Sequence, residues 1–385
     1  MASTLRLLLR PTPTRLHATA LRRHASTFGY TQAKALIFSD YGQPSDVLKL
    51  HSHSISPVYG SEIVIKFLAA PINPADINQI EGVYPTKPAM TINLGTPTPA
   101  AVPGNEGVVE VVSVGANVKD FKPGDRAIMK HTAFGTWRTH ALASDKNLLK
   151  IPEKFRDLGV VSAATVSVNP CTAYCMLKNF KPLEKGDWFI QNGGNSGVGR
   201  AAIQLGRLWG LKSVNVVRKR PEIDALKEEL KALGADMVIT EEELADRTFR
   251  KQMKELTGGK GLQLGLNCVG GKSATELIRH MGEGGHVVTY GAMAKQPLMV
   301  SASSLIFKDI HAHGFWVSRW SDANPEAKRE MVEEIFGMIQ RGEFKDVPVE
   351  KTVWNSETKE DVLKAAVAKS GQAYSGKKQV FVFEE

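Results

Sequence analysis

The sequence predicts an α/β protein with two domains: a small β-barrel and a doubly wound parallel sheet. With 385 residues, the chain is long enough to bury two cores. Up to about residue 155, short apolar or alternating runs are separated by Gly, Pro and Asn, a pattern typical of antiparallel strands. From Pro170 onward, apolar strands alternate with amphipathic helices, which indicates a parallel sheet covered on both faces.

The N-terminus has the composition of a mitochondrial transit peptide. No Asp or Glu precedes Asp40, and the arginines are interspersed with Leu, Ser and Thr. These arginines are Arg6, Arg10, Arg15, Arg22 and Arg23. We therefore expect residues 1–27 to be a transit peptide and the mature protein to be in the mitochondrial matrix. A basic tail without a targeting role is the alternative.

The charge that remains gives little reason to expect a nucleic-acid partner. The net charge is +9, and subtracting the five N-terminal arginines leaves +4. No helix-turn-helix, zinc finger or aromatic-basic platform is visible, although a nucleic-acid-binding protein stays open as an alternative class. No apolar run is long enough to cross a bilayer, so we expect no integral membrane segment. The three cysteines lack zinc-site spacing, and Cys171 and Cys175, one helical turn apart, are expected in the core.

The β-rich part and the tail are expected to form one domain. Runs such as Glu62–Phe67 and Gly107–Val114 read as strands of the barrel. The tail contains a helix, Pro325–Arg341, and a last strand, Gln379–Phe383, which we expect to return to the first domain. The predicted boundaries are 28–168 with 316–385 for this domain and 169–315 for the parallel-sheet domain.

The stretch from Asp187 to Arg220 predicts a dinucleotide site. A short strand at Trp188–Ile190 is followed by a glycine-rich loop at 193–199, a helix that ends at Gly210 and a second strand at Ser213–Val217. Phosphates bind where free N–H groups and the helix dipole meet, and small residues let them approach. A glycine loop alone is also compatible with an ordinary turn.

The residues after the second strand indicate which dinucleotide binds. NAD sites place a carboxylate there for the ribose 2′-OH, whereas a 2′-phosphate needs cations. The segment reads Arg218-Lys219-Arg220 and has no carboxylate before Glu222. This favours NADP(H), although a solvated basic turn would have the same composition.

Further strands are expected at Met237–Ile239, Leu262–Cys268 and His286–Tyr290. One helix is predicted across Glu241–Leu256. Ligands of open parallel sheets bind beyond the carboxyl ends of the strands. The turn after Tyr290 is therefore expected near the cofactor.

Several motifs together resemble one enzyme family. They are Asn73-Pro74-Ala75-Asp76-Ile77-Asn78, Gly82-Val83-Tyr84-Pro85, Val168-Asn169-Pro170-Cys171-Thr172, Asn195-Ser196-Gly197-Val198-Gly199, Asn267-Cys268-Val269-Gly270-Gly271 and Gly314-Phe315-Trp316. With the β-rich and parallel-sheet halves, they resemble the medium-chain dehydrogenase/reductase superfamily. Within it, the chain is similar to the mitochondrial 2-enoyl thioester reductases. The resemblance covers nearly all of the chain after the presequence and implies a GroES-like barrel beside a Rossmann-type domain.

The resemblance also implies the site residues. Tyr84 matches the proton donor of the family, although a Tyr beside Pro85 would otherwise read as a packed loop aromatic. Asn78 is a possible polar partner near the thioester. The cofactor positions implied are Asn169, Asn195, Ser196, Gly197, Val198, Arg218, Lys219, Arg220, Tyr290, Gly291, Ala292, Met293, Phe315, Trp316, Val317 and Lys378. Core packing is a second role open to Phe315 and Trp316.

The implied reaction needs no metal. Zinc enzymes of the superfamily carry Gly-His-Glu, where this chain has Gly104-Asn105-Glu106, and no cysteine precedes Cys171. Hydride at Cβ comes from NADPH, and Tyr84 would supply the proton at Cα. The implied substrates are enoyl-CoA or enoyl-acyl-carrier-protein thioesters of fatty acid synthesis, and the implied assembly is a homodimer. A zinc-free NADPH quinone oxidoreductase is the closest alternative.

Overall fold

The computed structural model describes residues 29–371 and 376–384. The predicted transit peptide lies outside these residues. No helix in these two stretches is both long and apolar enough to span a membrane.

The strands are β1 (Thr31–Ile37), β2 (Lys49–Ile55), β3 (Glu62–Pro71), β4 (Val108–Val114), β5 (Arg126–Met129), β6 (His140–Ser144), β7 (Leu148–Lys150), β8 (Trp188–Asn192), β9 (Lys212–Val217), β10 (Met237–Thr240), β11 (Leu262–Asn267), β12 (Met281–Thr289), β13 (His311–Gly314), β14 (Val349–Trp354) and β15 (Lys378–Phe383). The α-helices are α1 (Pro44–Val47), α2 (Pro74–Ile80), α3 (Val160–Thr165), α4 (Asn169–Asn179), α5 (Gly197–Leu208), α6 (Ile223–Leu233), α7 (Glu241–Ala245), α8 (Arg247–Leu256), α9 (Gly271–Arg279), α10 (Ala302–Lys308), α11 (Val317–Ala323), α12 (Pro325–Gln340) and α13 (Glu360–Ser370). Two short 3₁₀ helices span Asp145–Asn147 and Glu153–Phe155.

The second half forms a doubly wound sheet, as the alternating pattern predicts. Its six strands lie in the order β10-β9-β8-β11-β12-β13, and every neighbouring pair is parallel. Successive residues of a strand point to opposite faces. Phe189 and Val288 accordingly belong to one apolar cluster, while Ile190 and Val287 belong to another on the other face. Both faces are therefore covered.

The first part of the chain forms a mainly antiparallel sheet to which the C-terminus returns. The strand order is β14-β15-β3-β4-β5-β7, with β6 also paired to β3. The last strand, β15, runs antiparallel to β3 and pairs Val380 with Pro71. Its other neighbour, β14, runs parallel to it, which the sequence analysis did not anticipate. Strands β1 and β2 form a separate antiparallel pair.

The single helix predicted across Glu241–Leu256 is wrong. The structure has two helices, α7 and α8, that meet at Asp246. The backbone of Asp246 is extended, with φ −69° and ψ 132°, and its side chain accepts a hydrogen bond from the Thr248 amide. Asp favours this capping conformation over a helix interior because its carboxylate satisfies a free N–H of the new helix.

Candidate active site

The glycine loop between β8 and α5 is packed too tightly for larger residues. Ser196 caps α5, and its Oγ accepts a hydrogen bond of 3.0 Å from the Gly199 amide. A Cβ on Gly199 would lie 2.6 Å from the carbonyl oxygens of both Gly193 and Gly194. The glycine at 199 is therefore required so that the helix can start directly above the loop.

A buried arginine, which the sequence analysis did not single out, holds the backbone of this loop by a hydrogen bond. Arg200 Nε donates to the Asn195 carbonyl at 3.1 Å. Its two terminal nitrogens donate to the two carboxylate oxygens of Glu229 at 2.8 and 3.0 Å. Only 4 % of Arg200 is exposed, so the guanidinium serves the protein rather than a ligand.

Asn169, at the start of α4, lies against the same loop. A Cβ on Gly197 would approach Asn169 Nδ2 to 2.5 Å, so the amide is in close contact with the first residue of α5. Val198 is buried and packs into the core of the parallel sheet. Two predicted positions that are 28 residues apart in sequence are thus neighbours.

The turn after β12 is held by backbone hydrogen bonds to the end of β11, near the glycine loop. The amide of Tyr290 donates to the Asn267 carbonyl, and the amide of Met293 donates to the Cys268 carbonyl at 2.9 Å. Gly291 packs against Cys268, whose carbonyl oxygen would lie 3.2 Å from an added Cβ. Ala292 and Met293 are exposed at the edge of the site.

The Tyr290 phenol is a buried polar group next to the loop. Burial, followed by the nearby Cys268 thiol, raises its pKa well above 10, and Ser196 lowers it in part. Its Oη makes no hydrogen bond of normal geometry within the described part of the chain.

The basic triplet follows the carboxyl end of β9, at the same edge of the sheet. Arg218 and Lys219 are exposed, and Arg220 is partly exposed. The structure also brings an acidic helix start close to them, which the sequence alone did not reveal. The pKa of Glu242 is lowered by its own backbone amide and by the Thr240 side chain, with a smaller contribution from Lys219.

These features fit a dinucleotide phosphate. The start of α5 offers small residues and the backbone N–H groups of a helix N-terminus, and cations lie beyond the adjacent strand. The residues that would hold the cofactor are those predicted, chiefly Asn195–Val198 and Arg218–Arg220. Their contacts with a bound cofactor stay a prediction.

Tyr84 lies in a loop of the β-rich part, across from the residues that follow β13. Its ring meets the Trp316 ring edge-on, with centroids 5.9 Å apart. Burial raises the pKa of Tyr84, and Asp76 raises it further. The Trp316 indole lowers it in part, but its Nε1–H makes no hydrogen bond of normal geometry among the described residues. The phenol is therefore protonated at neutral pH.

A buried polar cluster, defined here as Asp76, Gln79 and Asn105, lies near Tyr84. Asn105 Nδ2 donates to Asp76 Oδ1 at 2.5 Å and to Gln79 Oε1 at 2.8 Å. Asn105 Oδ1 accepts from Gln79 Nε2 at 3.1 Å. Burial raises the pKa of Asp76 to about 7, against the lowering effect of hydrogen bonds from Asn73 and Asn105.

Lys378 lies beside this polar cluster. Its ammonium donates to Asn73 Oδ1 and is 3.9 Å from Glu106 Oε1. Glu106 is itself fully buried and accepts hydrogen bonds from Asn73 Nδ2 and the Val168 amide. Burial lowers the pKa of Lys378 and raises that of Glu106. The role of Lys378 toward a cofactor stays a prediction.

The segment Phe315–Val317 joins the two halves of the site. Phe315 packs edge-on against Phe180, so core packing is part of its role. Val317 and Asn105 line one small cavity of about 20 Å³ together with Val168. The predicted residue Val317, at the start of α11, and Asn105 of the polar cluster therefore border the same cavity.

Sequence reasoning missed the polar cluster as a unit. Asn105 was noted only because it replaces a histidine, and Asn78 was noted for its side chain. In the structure, Asn78 contributes its carbonyl oxygen, which accepts from the amides of Val83 and Tyr84. The available signal was the pair Asp76 and Gln79, two polar residues about one helical turn apart, which share one face of a helix.

Comparisons with known proteins agree with this architecture. The family model described as "Alcohol dehydrogenase GroES-like domain" matches residues 60–153, and that described as "Zinc-binding dehydrogenase" matches residues 197–336. The enoyl-[acyl-carrier-protein] reductase, mitochondrial, of Yarrowia lipolytica is 47 % identical over 355 residues, which cover 91 % of this chain and 92 % of that protein. The human protein of the same name is 45 % identical, over 85 % of this chain and 84 % of its own length.

This chain belongs to the mitochondrial enoyl-[acyl-carrier-protein] reductase family. Solved structures extend the similarity. A complex of Etr1p with NADP and crotonyl-CoA is 40 % identical, has a TM-score of 0.87, and is matched over 91 % of this chain and 99 % of that one. An Etr1p/Etr2p heterodimer from Candida tropicalis gives the same values. The predicted pairing of a GroES-like domain with a Rossmann-type domain is thus confirmed.

The name of one matching family model refers to zinc. Within the described stretches, no group of three or more His, Cys, Asp or Glu side chains is placed to hold a metal ion. The membership of this chain in the enoyl reductase family does not depend on whether it binds zinc. The expectation of metal-free catalysis stays a prediction.

Proposed function

We propose that this chain is an NADPH-dependent reductase of trans-2-enoyl thioesters in mitochondrial fatty acid synthesis. The family relationship and the Etr1p complex with NADP and crotonyl-CoA support the reaction class and the cofactor. The observation that carries the proposal is the edge-on contact of Tyr84 with Trp316. This contact joins a proton donor of the β-rich part to the segment that follows the last strand of the parallel sheet.

In this proposal each part of the site has a defined task. When bound, the nicotinamide supplies the hydride that reduces Cβ. Tyr84 holds the proton that is delivered to Cα, and burial keeps that proton on the phenol by raising its pKa. Trp316 fixes the plane of the phenol and narrows the access of water to it. Arg218 and Arg220 hold the 2′-phosphate.

The proposal is tested by Tyr84→Phe, which removes the acidic proton and keeps the ring. We expect kcat/KM for an enoyl-CoA to fall by about a hundredfold to ten-thousandfold, the usual contribution of a general acid. NADPH affinity, measured by fluorescence titration, should not change. Tyr59→Phe is the matched control because Tyr59 is 72 % exposed.

Full activity of Tyr84→Phe would reject the proton-donor role. Rapid NADPH oxidation with a quinone, but none with enoyl-CoA, would favour the alternative function. A structure named as a putative NADPH:quinone reductase from Bacillus thuringiensis shares the fold, at 26 % identity and a TM-score of 0.75.

We further propose that the enzyme acts in the mitochondrial matrix as a homodimer. The relatives are named mitochondrial, and the Etr1p/Etr2p structure is a dimer of related chains. Strand β13 is the exposed edge of the parallel sheet, and Ile306 and Phe307 of the adjacent α10 are 70 % and 78 % exposed. An outer strand of a sheet beside exposed apolar side chains is suited to a second copy of the chain. Sedimentation analysis tests the homodimer, and a fluorescent fusion tests the location.

A further inference from the structure

The loop that carries Tyr84 is attached to α2 at both of its ends. Before the tyrosine, the Asn78 carbonyl accepts hydrogen bonds from the amides of Val83, at 3.0 Å, and of Tyr84, at 3.1 Å. After the tyrosine, Gln79 Nε2 donates to the Thr86 carbonyl at 2.8 Å. Consecutive residues at the end of one helix therefore hold the backbone on either side of the phenol.

The side chain of Gln79 can make its bond to Thr86 in only one amide orientation. Gln79 is fully buried, and its amide pairs reciprocally with that of Asn105. An amide nitrogen has two hydrogens, and those of Gln79 Nε2 go to Thr86 O and Asn105 Oδ1. Flipping the amide would place an oxygen against two oxygens, at a high cost in a buried site.

Asn105 is oriented in turn by its other partners. Its second Nδ2 hydrogen goes to Asp76 Oδ1, and its Oδ1 also accepts from the Ala133 amide at 2.7 Å. Each polar hydrogen of the two amides therefore has a protein acceptor. A network that is fully satisfied in this way holds a single arrangement.

We propose that Gln79, oriented by Asn105, is a positioning residue that sets the placement of Tyr84 during catalysis. This inference rests on the proposed function, because it assumes that Tyr84 is the proton donor. Gln79 acts through the Thr86 carbonyl and the loop backbone. An error of about 1 Å in the placement of a reacting group can cost about a hundredfold in rate.

The test is a double-mutant cycle with Gln79→Met and Tyr84→Phe, using full-length mature enzyme, NADPH and crotonyl-CoA. Gln79→Met keeps the length of the side chain but removes the donor to Thr86. We expect kcat to fall by about tenfold to a hundredfold in the Tyr84 background, with the Kd of NADPH within about twofold of wild type. In the Tyr84→Phe background, we expect Gln79→Met to lower kcat less than about twofold further, since there is no proton left to position.

Gln43→Met is the matched control. Gln43 is exposed, and its side chain donates to Glu81, the C-cap residue of α2, at 3.3 Å. Gln43→Met therefore removes a hydrogen bond next to the loop without changing a residue of the polar cluster. This variant should retain wild-type kcat.

A second variant, Gln79→Glu, distinguishes the loss of the hydrogen bond to Thr86 from a change in packing. A carboxylate still accepts from Asn105 Nδ2 but repels Thr86 O, whereas a protonated carboxyl can donate to Thr86 O again. Asp76 has a pKa of about 7 and titrates in the same range, so the loss of kcat is taken relative to wild type at each pH. That loss should shrink as the pH is lowered from about 8 to about 6.

The outcomes separate the two hypotheses. No loss in Tyr84→Phe would reject the proton-donor role of Tyr84, which is the part of the proposed function on which this inference rests. An equal loss from Gln79→Met in both backgrounds, or no loss in either, would overturn the positioning role alone. Failure of both Gln79 variants to fold, judged by circular dichroism, would also overturn it by assigning the amide to folding.

Discussion

The contacts that shape the glycine loop lie within residues 193–199. The buried polar groups near Tyr84, in contrast, come from segments far apart in sequence. Gly199 meets Gly193 and Gly194, and Ser196 caps the helix that follows. Gln79 meets Asn105 across 26 residues, and Lys378 meets Asn73 across 305. The loop is a local backbone shape, while the polar cluster exists only after the first domain has folded.

This difference predicts different failures. Damage to the loop should abolish cofactor binding, because the backbone itself forms the phosphate site. Damage to the polar cluster should leave the cofactor bound and slow the reaction.

Gly199→Ala should be the most damaging change to binding. The new Cβ would lie 2.6 Å from two backbone carbonyl oxygens, so the loop must move. We expect NADPH affinity to fall by about a hundredfold and the free energy of unfolding to fall by about 1–3 kcal/mol. Fluorescence titration and chemical denaturation measure the two effects.

Gly337→Ala is the control for the loss of a glycine. It lies inside α12, where, among the described residues, an added Cβ meets the flexible Arg341 side chain at 3.1 Å and nothing else within 4 Å. Because alanine favours a helix, this variant should bind NADPH normally and gain up to about 1 kcal/mol. Normal NADPH binding by Gly199→Ala would mean that the loop tolerates the shift and that the glycine at 199 is not needed for cofactor binding.

Arg218→Ala should reduce cofactor selectivity rather than fold stability. Losing one charge-assisted contact to a phosphate costs about 1.5–3 kcal/mol, so KM for NADPH should rise by about tenfold to a hundredfold. KM for NADH should stay within about twofold, since that cofactor has no 2′-phosphate. Arg329→Ala, on the exposed side of α12, is the matched control. Equal losses with both cofactors would contradict the assignment.

Asp76 gives the polar cluster a pH dependence that the glycine loop lacks. Its pKa is about 7 in the folded protein and 3.8 when the carboxyl is exposed to water, as in the unfolded chain, so the folded state keeps a proton that the unfolded state has lost. The stability contributed by this group is complete below about pH 4 and declines as the pH rises toward 7.

Asp76→Asn should remove the part of the loss of stability with rising pH that Asp76 causes. Thermal unfolding of wild type and variant at about pH 5 and pH 7.5 measures the two slopes, with the exposed Asp120→Asn as the control. The difference in Tm between the two pH values should be smaller for Asp76→Asn than for wild type. Identical slopes would show that Asp76 is ionised throughout this range.

Much of the fold could be predicted because its signals are local. The strand, glycine loop and helix at Trp188–Leu208 follow from periodicity and punctuation within about twenty residues. The error at Glu241–Leu256 has a local cause as well, since Asp246 can cap a helix as well as continue one. The parallel pairing of β14 with β15 could not be predicted, because it depends on contacts beyond any window of sequence.

The site divides in the same way. The glycine loop and basic triplet could be identified by residue type and order, and Tyr84 only through a family resemblance. The environment of Tyr84 could not be predicted, since Trp316 comes from the far end of the parallel sheet. Arg200 was missed because a buried arginine in an amphipathic helix has no signature until its partner Glu229 is placed.

By itself, the sequence determined the architecture, the dinucleotide loop and the cations at the end of β9, since backbone shape and periodicity are encoded by neighbouring residues. Only the tertiary structure decided which polar residues are buried together and which way each amide faces. The physical reason is that a buried amide is oriented by its hydrogen-bond partners, and the partners of Gln79 come from Thr86 and Asn105.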